Sequence, residues 1–444
     1  MSMVVKNNMS AVSTLNTLNK NSSALSKSLA KVSSGMKINS AADDASGYAI
    51  SERMRVQIRS LDQANSNTQN GSSMMKVAEG AVSSTVDILK TLKEKAINAA
   101  NDTNTDTDRA TIQKEMDQYI DQINDNANVT YNDKYLINGS HNSKTTATCT
   151  ALTNESLDST TKGESTLTSL KSRTGEDLNI HSTDRVTVSF VREGKTYTTT
   201  FDVGSNKLED IVKAASTGMN GTDKAGSAAG MPSLTGSSSY IGTDGAGNSV
   251  YTADNGNALT ITSSKSGTKA QISGFTISIA DNTGAVNKTA NASLDAFTEQ
   301  IRAQNASDDN ALVLQVGTKA NQSIKIGLTD MRSEALGLKG SDGATLNIST
   351  QDKANAAVNV LENALQKALD QQTTIGAVES RLSYTSSNLT TASENVQSSE
   401  STIRDADMAK EMTEYTKNNV LLQAAQSMLA QANQNSSAVL SLLQ

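Results

Sequence analysis

The stretch AVSTLNTLNKNSSALSKSLAKVSSGM, residues 11–36, decides the fold that the sequence predicts. Its apolar side chains recur at alternating intervals of four and three residues, with the polar Ser22 in one position: Ala11, Leu15, Leu18, Leu25, Leu29, Val32 and Met36. This spacing is an a/d heptad stripe, which is typical of a helix that pairs lengthwise with another helix. Gly35 can supply the left-handed residue that ends such a helix.

The C-terminal part of the chain carries stripes of the same kind. One set of apolar residues recurs every seven positions: Ile375, Leu382, Leu389, Val396 and Ile403. A last set recurs at intervals of three and four: Leu422, Ala425, Leu429, Ala432, Ser436, Val439 and Leu443. Any one stripe is interpreted as the buried face of an ordinary helix, but narrow stripes at both ends of the chain favour a coiled coil.

Polar residues indicate where further helices begin. Ser40–Asp43 and Ser349–Asp352 each place Asp three residues after Ser, which is the spacing of a capping box, so helices are predicted to start there. Another helix is predicted to start near Thr105–Asp108, where a polar cluster ends the preceding one. The apolar pattern of that preceding helix weakens between Asn65 and Gly71 and then resumes.

The middle of the chain, from about residue 140 to 305, is rich in Ser, Thr, Gly and Asn. Alternating apolar residues there and just beyond predict strands and two hairpins: Arg185–Val191, Thr196–Val203, Leu259–Ile261, Phe275–Ile279, Leu312–Val316 and Ile324–Leu328. A short helix is predicted at Leu208–Ala215, and Gly218–Gly247 is predicted to be a flexible loop from its composition. The predicted fold class is therefore α+β, with a long antiparallel coiled-coil rod formed by both chain ends and β-rich domains inserted in the middle.

Composition excludes several classes of function. The 444 residues carry a formal net charge of −7, which argues against a nucleic-acid partner. The lone Cys149 excludes an internal disulfide and a thiolate metal cluster. His141 and His181 do not form a His-Glu-x-x-His motif, so no zinc hydrolase is expected, and no cofactor, metal or enzymatic activity is predicted.

No stretch approaches the roughly 20 apolar residues of a membrane-spanning helix, so membrane insertion is not expected. The N-terminal residues lack the apolar segment of a cleaved secretory leader, which leaves export by another route open. Residues near each end form one apolar stripe without a core of their own. Because a lone amphipathic helix is marginal in water, we expect both ends to be loosely ordered in a monomer and to fold against partner copies.

Four stretches resemble the bacterial flagellins: residues 34–50 (SGMKINSAADDASGYAI), 79–104, 312–338 (with DMRSEALGL at 330–338) and 403–444 (with IRDAD at 403–407 and LAQANQ at 429–434). The middle region matches no single flagellin. The resemblance implies a filament subunit for swimming motility, with an inner-tube helix at 1–40, outer-tube halves at 41–140 and 305–405, variable surface domains at 141–304, and a second inner-tube helix at 406–444.

The resemblance also implies partners and a location. The chain would leave the cell through the flagellar type III export channel, escorted by an export chaperone, and would assemble with copies of itself beneath a filament cap, next to hook-junction proteins. It would then lie in the extracellular filament.

Three groups of candidate site residues follow. The polymerisation contacts are Leu15, Leu18, Leu25, Leu29, Val32, Leu422, Leu429, Val439 and Leu443. By resemblance, a subunit-contact loop comprises Ser40, Asp43, Asp44 and Gly47, with a plain helix cap as the equal alternative. A patch for the animal innate-immune flagellin receptor, with reduced potency, comprises Leu89, Lys90, Thr91, Leu92, Glu94 and Lys95. Thr91 stands where the family usually has Arg, and Lys95 stands where it usually has Leu.

Two alternative functions remain open from the sequence. A hook-filament junction protein shares the paired helical ends and the export route but is present in few copies. A surface adhesin or glycan-binding protein would use the middle domain as its active part.

Overall fold

The computed structural model describes residues 8–217, 232–253 and 255–442. The helices within these ranges are α1 (Met9–Ser34), α2 (Ala45–Ala100), α3 (Asp106–Ala127), α4 (Leu208–Thr217), α5 (Lys288–Leu294), α6 (Gln351–Arg404) and α7 (Met408–Leu442). The chain divides into two compact units. The first unit comprises the chain up to Thr68, Gln315–Gln322 and the chain from Tyr384, and the second comprises Gln69–Leu314 and Ser323–Ser383.

The strands within the described ranges are β1 (Thr130–Tyr131), β2 (Lys134–Tyr135), β3 (Ala151–Asn154), β4 (Arg185–Arg192), β5 (Lys195–Asp202), β6 (Pro232–Ser238), β7 (Tyr240–Thr243), β8 (Ser249–Tyr251), β9 (Ala258–Ser263), β10 (Gly274–Ala280), β11 (Phe297–Ile301), β12 (Leu312–Gln315) and β13 (Ser323–Ile326). The larger sheets have the orders β10-β4-β5 and β11-β3-β9-β6, and β1-β2, β7-β8 and β12-β13 form two-stranded pairs. Helices at both ends of the chain with strands between them confirm the predicted α+β class.

The first unit contains paired helices, as the heptad stripes predict. Leu61 and Ala64 of α2 cluster with Leu389 of α6, and Val396 packs against them. Asp62 and Asn65 accept hydrogen bonds from Ser393 and Ser386, which lie on α6 in the reverse order. The two helices therefore run antiparallel, with a narrow apolar seam and polar pairs beside it.

The predicted start of α2 is wrong by several residues. Ser40 and Asp43 form a closed turn outside the helix, in which Asp43 accepts from the backbone N–H groups of Asn39 and Ser40. Asp44 caps α2 instead, because its Oδ1 accepts from the N–H groups of Ser46 and Gly47 at 3.0 Å each. An Asp immediately before a helix can accept from the same unpaired backbone N–H groups as a Ser can. Asp44 therefore takes the capping role that was predicted for Ser40.

Of the other two predicted helix starts, the one at α6 is wrong by one residue and the one at α3 is confirmed. At α6 the cap is Thr350, whose hydroxyl accepts from the N–H of Lys353, so the predicted Ser349–Asp352 box is wrong by one residue. At α3 the predicted helix start near Thr105–Asp108 is confirmed, and Thr105 and Asp108 form a capping box there by bonding each other's backbone N–H groups. The end of α1 is also as predicted, because Gly35 has a φ of 70° and donates to the carbonyl of Lys31.

The weakened pattern between Asn65 and Gly71 does not interrupt α2, which is continuous there. Within the second unit a Cβ at Gly71 would lie 2.4 Å from Leu314 Cδ1 on β12. The missing side chain therefore gives room for a strand to approach the helix. A local departure from heptad spacing thus marks a tertiary contact rather than a helix end.

The β-rich part of the second unit has its own apolar core. The β4-β5 hairpin is confirmed with the predicted turn, in which Glu193 and Gly194 have φ values of 48° and 73°. Positive φ at both central residues is the mark of a type I′ turn, whose twist fits two paired strands. Phe190, Phe275 and Ile261 from three strands are at most 1 % exposed and belong to one cluster that also includes Ile211 of α4.

The prediction of a flexible loop at Gly218–Gly247 is partly wrong. Residues 218–231 lie outside the described residues. From Pro232 onward the chain forms β6, which pairs with β9, and β7, which pairs with β8. These strands contain many small polar residues, so no alternating apolar pattern predicted them. Strand formation depends on cross-strand packing and burial as much as on the type of side chain.

The chain segments that lead into and out of the middle region pair with each other. Thr145 bridges Ser307, and Thr148 bridges Gln304, both in the antiparallel sense. Paired backbone hydrogen bonds of 3.0 and 3.1 Å close the outer bridge. The two ends of the insertion are therefore held side by side.

Candidate functional site: the apolar faces of the terminal helices

The terminal helices α1 and α7 lie antiparallel in the first unit. Polar side chains mark the line of contact: Asn8 donates to Ala432 O, Asn21 donates to Leu421 O, and Asn418 donates to Ser28 Oγ, at 3.1 to 3.3 Å. Lys31 and Glu411 add an ion pair at 3.5 Å. Each of these two helices is continuous over its described length and packs against the other. The expectation that both ends are loosely ordered in a monomer stays a prediction.

This pairing buries little apolar surface. Among the described side chains of the two helices, the most buried are small: Ser28 is 8 % exposed and Ala425 is 7 % exposed. Large apolar side chains remain in solvent: Met9, Val12, Leu15, Leu29, Met408, Met412, Val420, Leu421 and Met428. Several exposed large apolar side chains on one helix pair indicate a candidate interaction site.

The predicted polymerisation contacts lie on or beside this surface. Leu15 and Leu29 are 45 % and 52 % exposed. Leu18, Leu25, Val32, Leu422 and Leu429 are half-buried. Val439 lies in α7 with a side chain outside the description, and Leu443 lies outside the described residues.

The sequence analysis missed several members of the surface, among them Val12, Val420 and Met428, which are 48 %, 59 % and 65 % exposed. They lie outside the heptad positions, so a pattern search for a single stripe passes over them. Their signal is the presence of extra apolar residues beside the stripe, which widens the face of a helix beyond what one partner covers.

A buried arginine links the ends of the first unit's helices. Arg404, at the end of α6, is 6 % exposed, and its Nη1 donates to Glu52 Oε1 at 2.6 Å. Its guanidinium carbon lies 5.4 Å from the centre of the Tyr48 ring, a cation–π contact. The backbone adds two bonds here, from Lys37 N–H to Arg404 O and from Ala406 N–H to Gly35 O. The segments leading to both terminal helices are thus fixed at one point.

The predicted subunit-contact loop is exposed but internally bonded. Ser40, Asp43 and Asp44 face solvent, whereas Gly47 is buried. Hydrogen bonds from the backbone and hydroxyl of Ser40 lower the pKa of the Asp43 carboxyl. A Cβ at Gly47 would lie 2.5 Å from Asp44 Oδ2, so the loop leaves no space for a larger residue there. The geometry is that of a rigid cap with a free outer face.

Only part of the predicted immune-receptor patch is accessible to solvent. Leu89 and Leu92 are fully buried in the second unit, so the solvent-facing part consists of Lys90, Thr91, Glu94 and Lys95. Lys90 pairs with Asp87 at 3.0 Å. Lys95 pairs with Glu115 at 2.8 Å, and this hydrogen bond raises the pKa of Lys95.

The side chains that could bind a metal ion are not grouped together in the described part of the chain. Within the described ranges, no three His, Cys, Asp or Glu side chains are arranged to hold a metal ion. His141 contacts the carbonyl of Asn310, and burial raises the pKa of the Cys149 thiol. None of the described helices has the length and apolar character needed to cross a membrane.

Paired terminal helices with exposed apolar side chains, and no grouping of metal-binding side chains within the described ranges, are typical of a structural subunit rather than an enzyme. The chain belongs to the bacterial flagellin family, a family of structural proteins. It matches the bacterial flagellin N-terminal helical region over residues 5–142 and the C-terminal helical region over residues 358–443.

Two curated flagellins agree with this assignment. A flagellin of Clostridium tyrobutyricum is 34 % identical, with 97 % of this chain and 99 % of that protein covered. A flagellin of Bacillus subtilis is 28 % identical, with 99 % of this chain and all of that protein covered. Among solved structures, the flagellar hook associated protein-3 of Legionella pneumophila is similar at a TM-score of 0.33 and 14 % identity, covering 78 % of this chain and 97 % of that one.

Proposed function

We propose that this chain polymerises into a flagellar filament for swimming motility by burying the apolar faces of α1 and α7 against neighbouring copies. The observation that carries the proposal is the exposure of large side chains such as Leu29 and Met428 on helices whose mutual contact buries only small residues. Fully burying an exposed Leu or Met side chain contributes roughly 1.5–3 kcal/mol. Association costs about 4–15 kcal/mol, so this proposal requires many such contacts, summed over several neighbours.

In this proposal, neighbouring copies meet through two different patches rather than through the same patch on both. Contacts of this heterologous kind extend into an open helical polymer when the rotation does not close. In this proposal the two terminal helices form the inner tube, and the outer face of the Ser40–Gly47 loop contacts an adjacent subunit.

Membership of the flagellin family supports a proposal for the other partners of the chain and for its location. We place the chain outside the cell in the filament, after type III export with a chaperone on its C-terminal helix and assembly beneath a cap distal to hook-junction proteins. Helices that bury little surface in a single chain suit this route, because little folding energy opposes unfolding before export.

The test is seeded polymerisation of Leu29→Lys, followed by light scattering and electron microscopy. The matched control is Ser23→Lys, which adds the same charge to an exposed position about 120° around α1 from Leu29, between Lys20 and Lys27. We expect Leu29→Lys to stop elongation and Ser23→Lys to retain it. Normal filaments from Leu29→Lys would refute the proposed role of this face.

A further inference from the structure

The methionines of the described residues divide by exposure and by place in the fold. Those that face solvent all lie on the terminal helices: Met9 on α1 is 71 % exposed, and Met408, Met412 and Met428 on α7 are 44 %, 45 % and 65 % exposed. Those that are buried all lie in the second unit: Met74, Met75, Met116 and Met331. Met36 and Met54 are half-buried in the first unit.

This division controls where an oxidant can react. A thioether carries no proton to lose, so its oxidation is governed by access of the oxidant to the sulfur atom. The four exposed methionines are therefore open to a dissolved peroxide, and the four buried ones are shielded by packing. The lone thiol competes weakly, because burial raises the pKa of Cys149 and so keeps it protonated at neutral pH.

The exposed methionines are neighbours of other exposed apolar side chains on the same helices. Met428 lies one heptad after Leu421, which places the two within about 20° of each other around α7. Met9 and Val12 are three residues apart, and Met408 and Met412 are four apart, so each pair lies side by side on its helix. An oxygen atom added to any of these sulfurs would lie among the side chains that α1 and α7 offer to a neighbour.

We propose that Met9, Met408, Met412 and Met428 are modification sites at which a peroxide converts the chain into a form that does not polymerise. The inference rests on the proposed function, because it assigns these side chains to the contacts between copies. A sulfoxide is polar, and burying it against apolar side chains without a hydrogen-bond partner is unfavourable.

The chemical step is a two-electron oxidation of each thioether. One oxygen atom of hydrogen peroxide bonds to the sulfur, the O–O bond breaks, and the other oxygen leaves as water. No bond within the protein is broken. The change is reversible, since methionine sulfoxide reductases, one for each sulfoxide epimer, restore the thioether with electrons from a dithiol.

The test treats the unassembled full-length chain with hydrogen peroxide and follows each methionine by peptide mass spectrometry. We expect oxidation of the four exposed methionines before any of the four buried ones. Seeded elongation should then need about tenfold more free chain or more, because loss of even one buried methionine contact costs that factor. Treatment with both reductases and dithiothreitol should restore elongation.

A variant with Leu at all four exposed positions identifies the responsible sulfurs, because Leu replaces Met with little change in volume. It should elongate seeds normally and keep doing so after peroxide, although every other methionine of the chain remains in it. The matched control carries Met116→Leu and Met331→Leu, two buried positions, and should be inhibited like the unmodified chain.

Three results would overturn the proposal: equal oxidation of exposed and buried methionines, normal elongation by the oxidised chain, or inhibition of the four-Leu variant. Each of these leaves the proposed function standing, since the untreated chain still elongates seeds. An untreated chain that never elongates seeds would refute the proposed function, and this inference with it.

Discussion

Arg404 Nη1 lies 2.6 Å from Glu52 Oε1, and this ion pair joins the end of α6 to the first turns of α2. The guanidinium is 8 % exposed, whereas the carboxylate is 37 % exposed. Removing the carboxylate leaves a buried positive charge with a weaker set of partners, so Glu52→Gln should lower the thermal midpoint of the first unit. Circular dichroism melting at neutral pH measures this change.

The same pair gives a pH dependence with a definite sign. The hydrogen bond from Arg404 lowers the pKa of the Glu52 carboxyl below its ordinary 4.5. A lowered folded-state pKa stabilises the protein above the unfolded-state pKa, and the benefit disappears as pH falls through the folded-state value. The difference between Glu52→Gln and the unmodified chain should therefore vanish in acid. Glu394→Gln, at an exposed position on α6, is the control and should melt like the unmodified chain at every pH.

A buried carboxyl, that of Glu299, predicts the opposite trend near neutrality. The Glu299 side chain is 5 % exposed, and burial raises its pKa from 4.5 to about 7. Facing it are Arg302, 3.5 Å away, and Lys367 of α6, while Asp370 pairs with Arg302 on the far side. Below pH 4.5 this carboxyl is neutral in both states. As pH rises toward 7 only the unfolded state ionises, so the folded state loses up to about 3 kcal/mol of relative stability.

Urea unfolding at pH 4.5 and pH 7.5 checks the Glu299 prediction. Glu299→Gln should flatten the fall in unfolding free energy between these two values. Arg302 and Lys367 are present in both proteins, so the difference between the two curves isolates the carboxyl. A variant curve as steep as that of the unmodified chain would contradict the assignment.

Removal of Leu421–Gln444 should abolish filaments while leaving the second unit folded. The deletion takes away the exposed Leu421 and Met428 and the partner of the first part of α1, yet no residue of the second unit. Electron microscopy after seeding measures filament growth. Calorimetry should retain the transition of the β-rich core, and its loss would show that the end of α7 stabilises more than the first unit.

Thr91→Arg should raise signalling through the animal innate-immune flagellin receptor. In the present chain Thr91 has a short side chain whose hydroxyl bonds back to the carbonyl of Asp87, so it offers no two-pronged donor to a partner. A reporter-cell assay at matched dose measures the effect. Thr111→Arg on α3, an exposed Thr with the same back-bond to its own helix, is the control and should leave signalling unchanged.

The heptad stripes predicted the helical framework because they depend on spacing along one segment. Leu389 and Val396 lie in the α2–α6 seam, as their seven-residue spacing indicates. The hairpin turn at Glu193–Gly194 was predictable for the same reason, since its signal is local. Helix starts at Asp44 and Thr350 differed from prediction because adjacent Ser, Thr and Asp residues compete for the same backbone donors.

Features that depend on distant segments left no signal in the sequence. Gln271 and Gly337 come together from stretches far apart in the chain, and nothing in either stretch, including the family-like residues 330–338, indicates this contact. Glu299 lies in a strand with alternating exposure, and its burial depends on Lys367 and Arg302 packing over it. The extent of the α1 surface was also hidden, because exposure of Val12 depends on how little α7 covers.

The bridges from Thr145 to Ser307 and from Thr148 to Gln304 hold the two ends of the middle region about one strand spacing apart, roughly 5 Å. The segment between them joins the framework at this strand pair and also contacts it elsewhere, since Gly274 packs against Val360 of α6 and Lys195 pairs with Asp342. We expect a grafted replacement to be tolerated only if its own ends meet at that spacing and if it covers the surfaces that these contacts now shield.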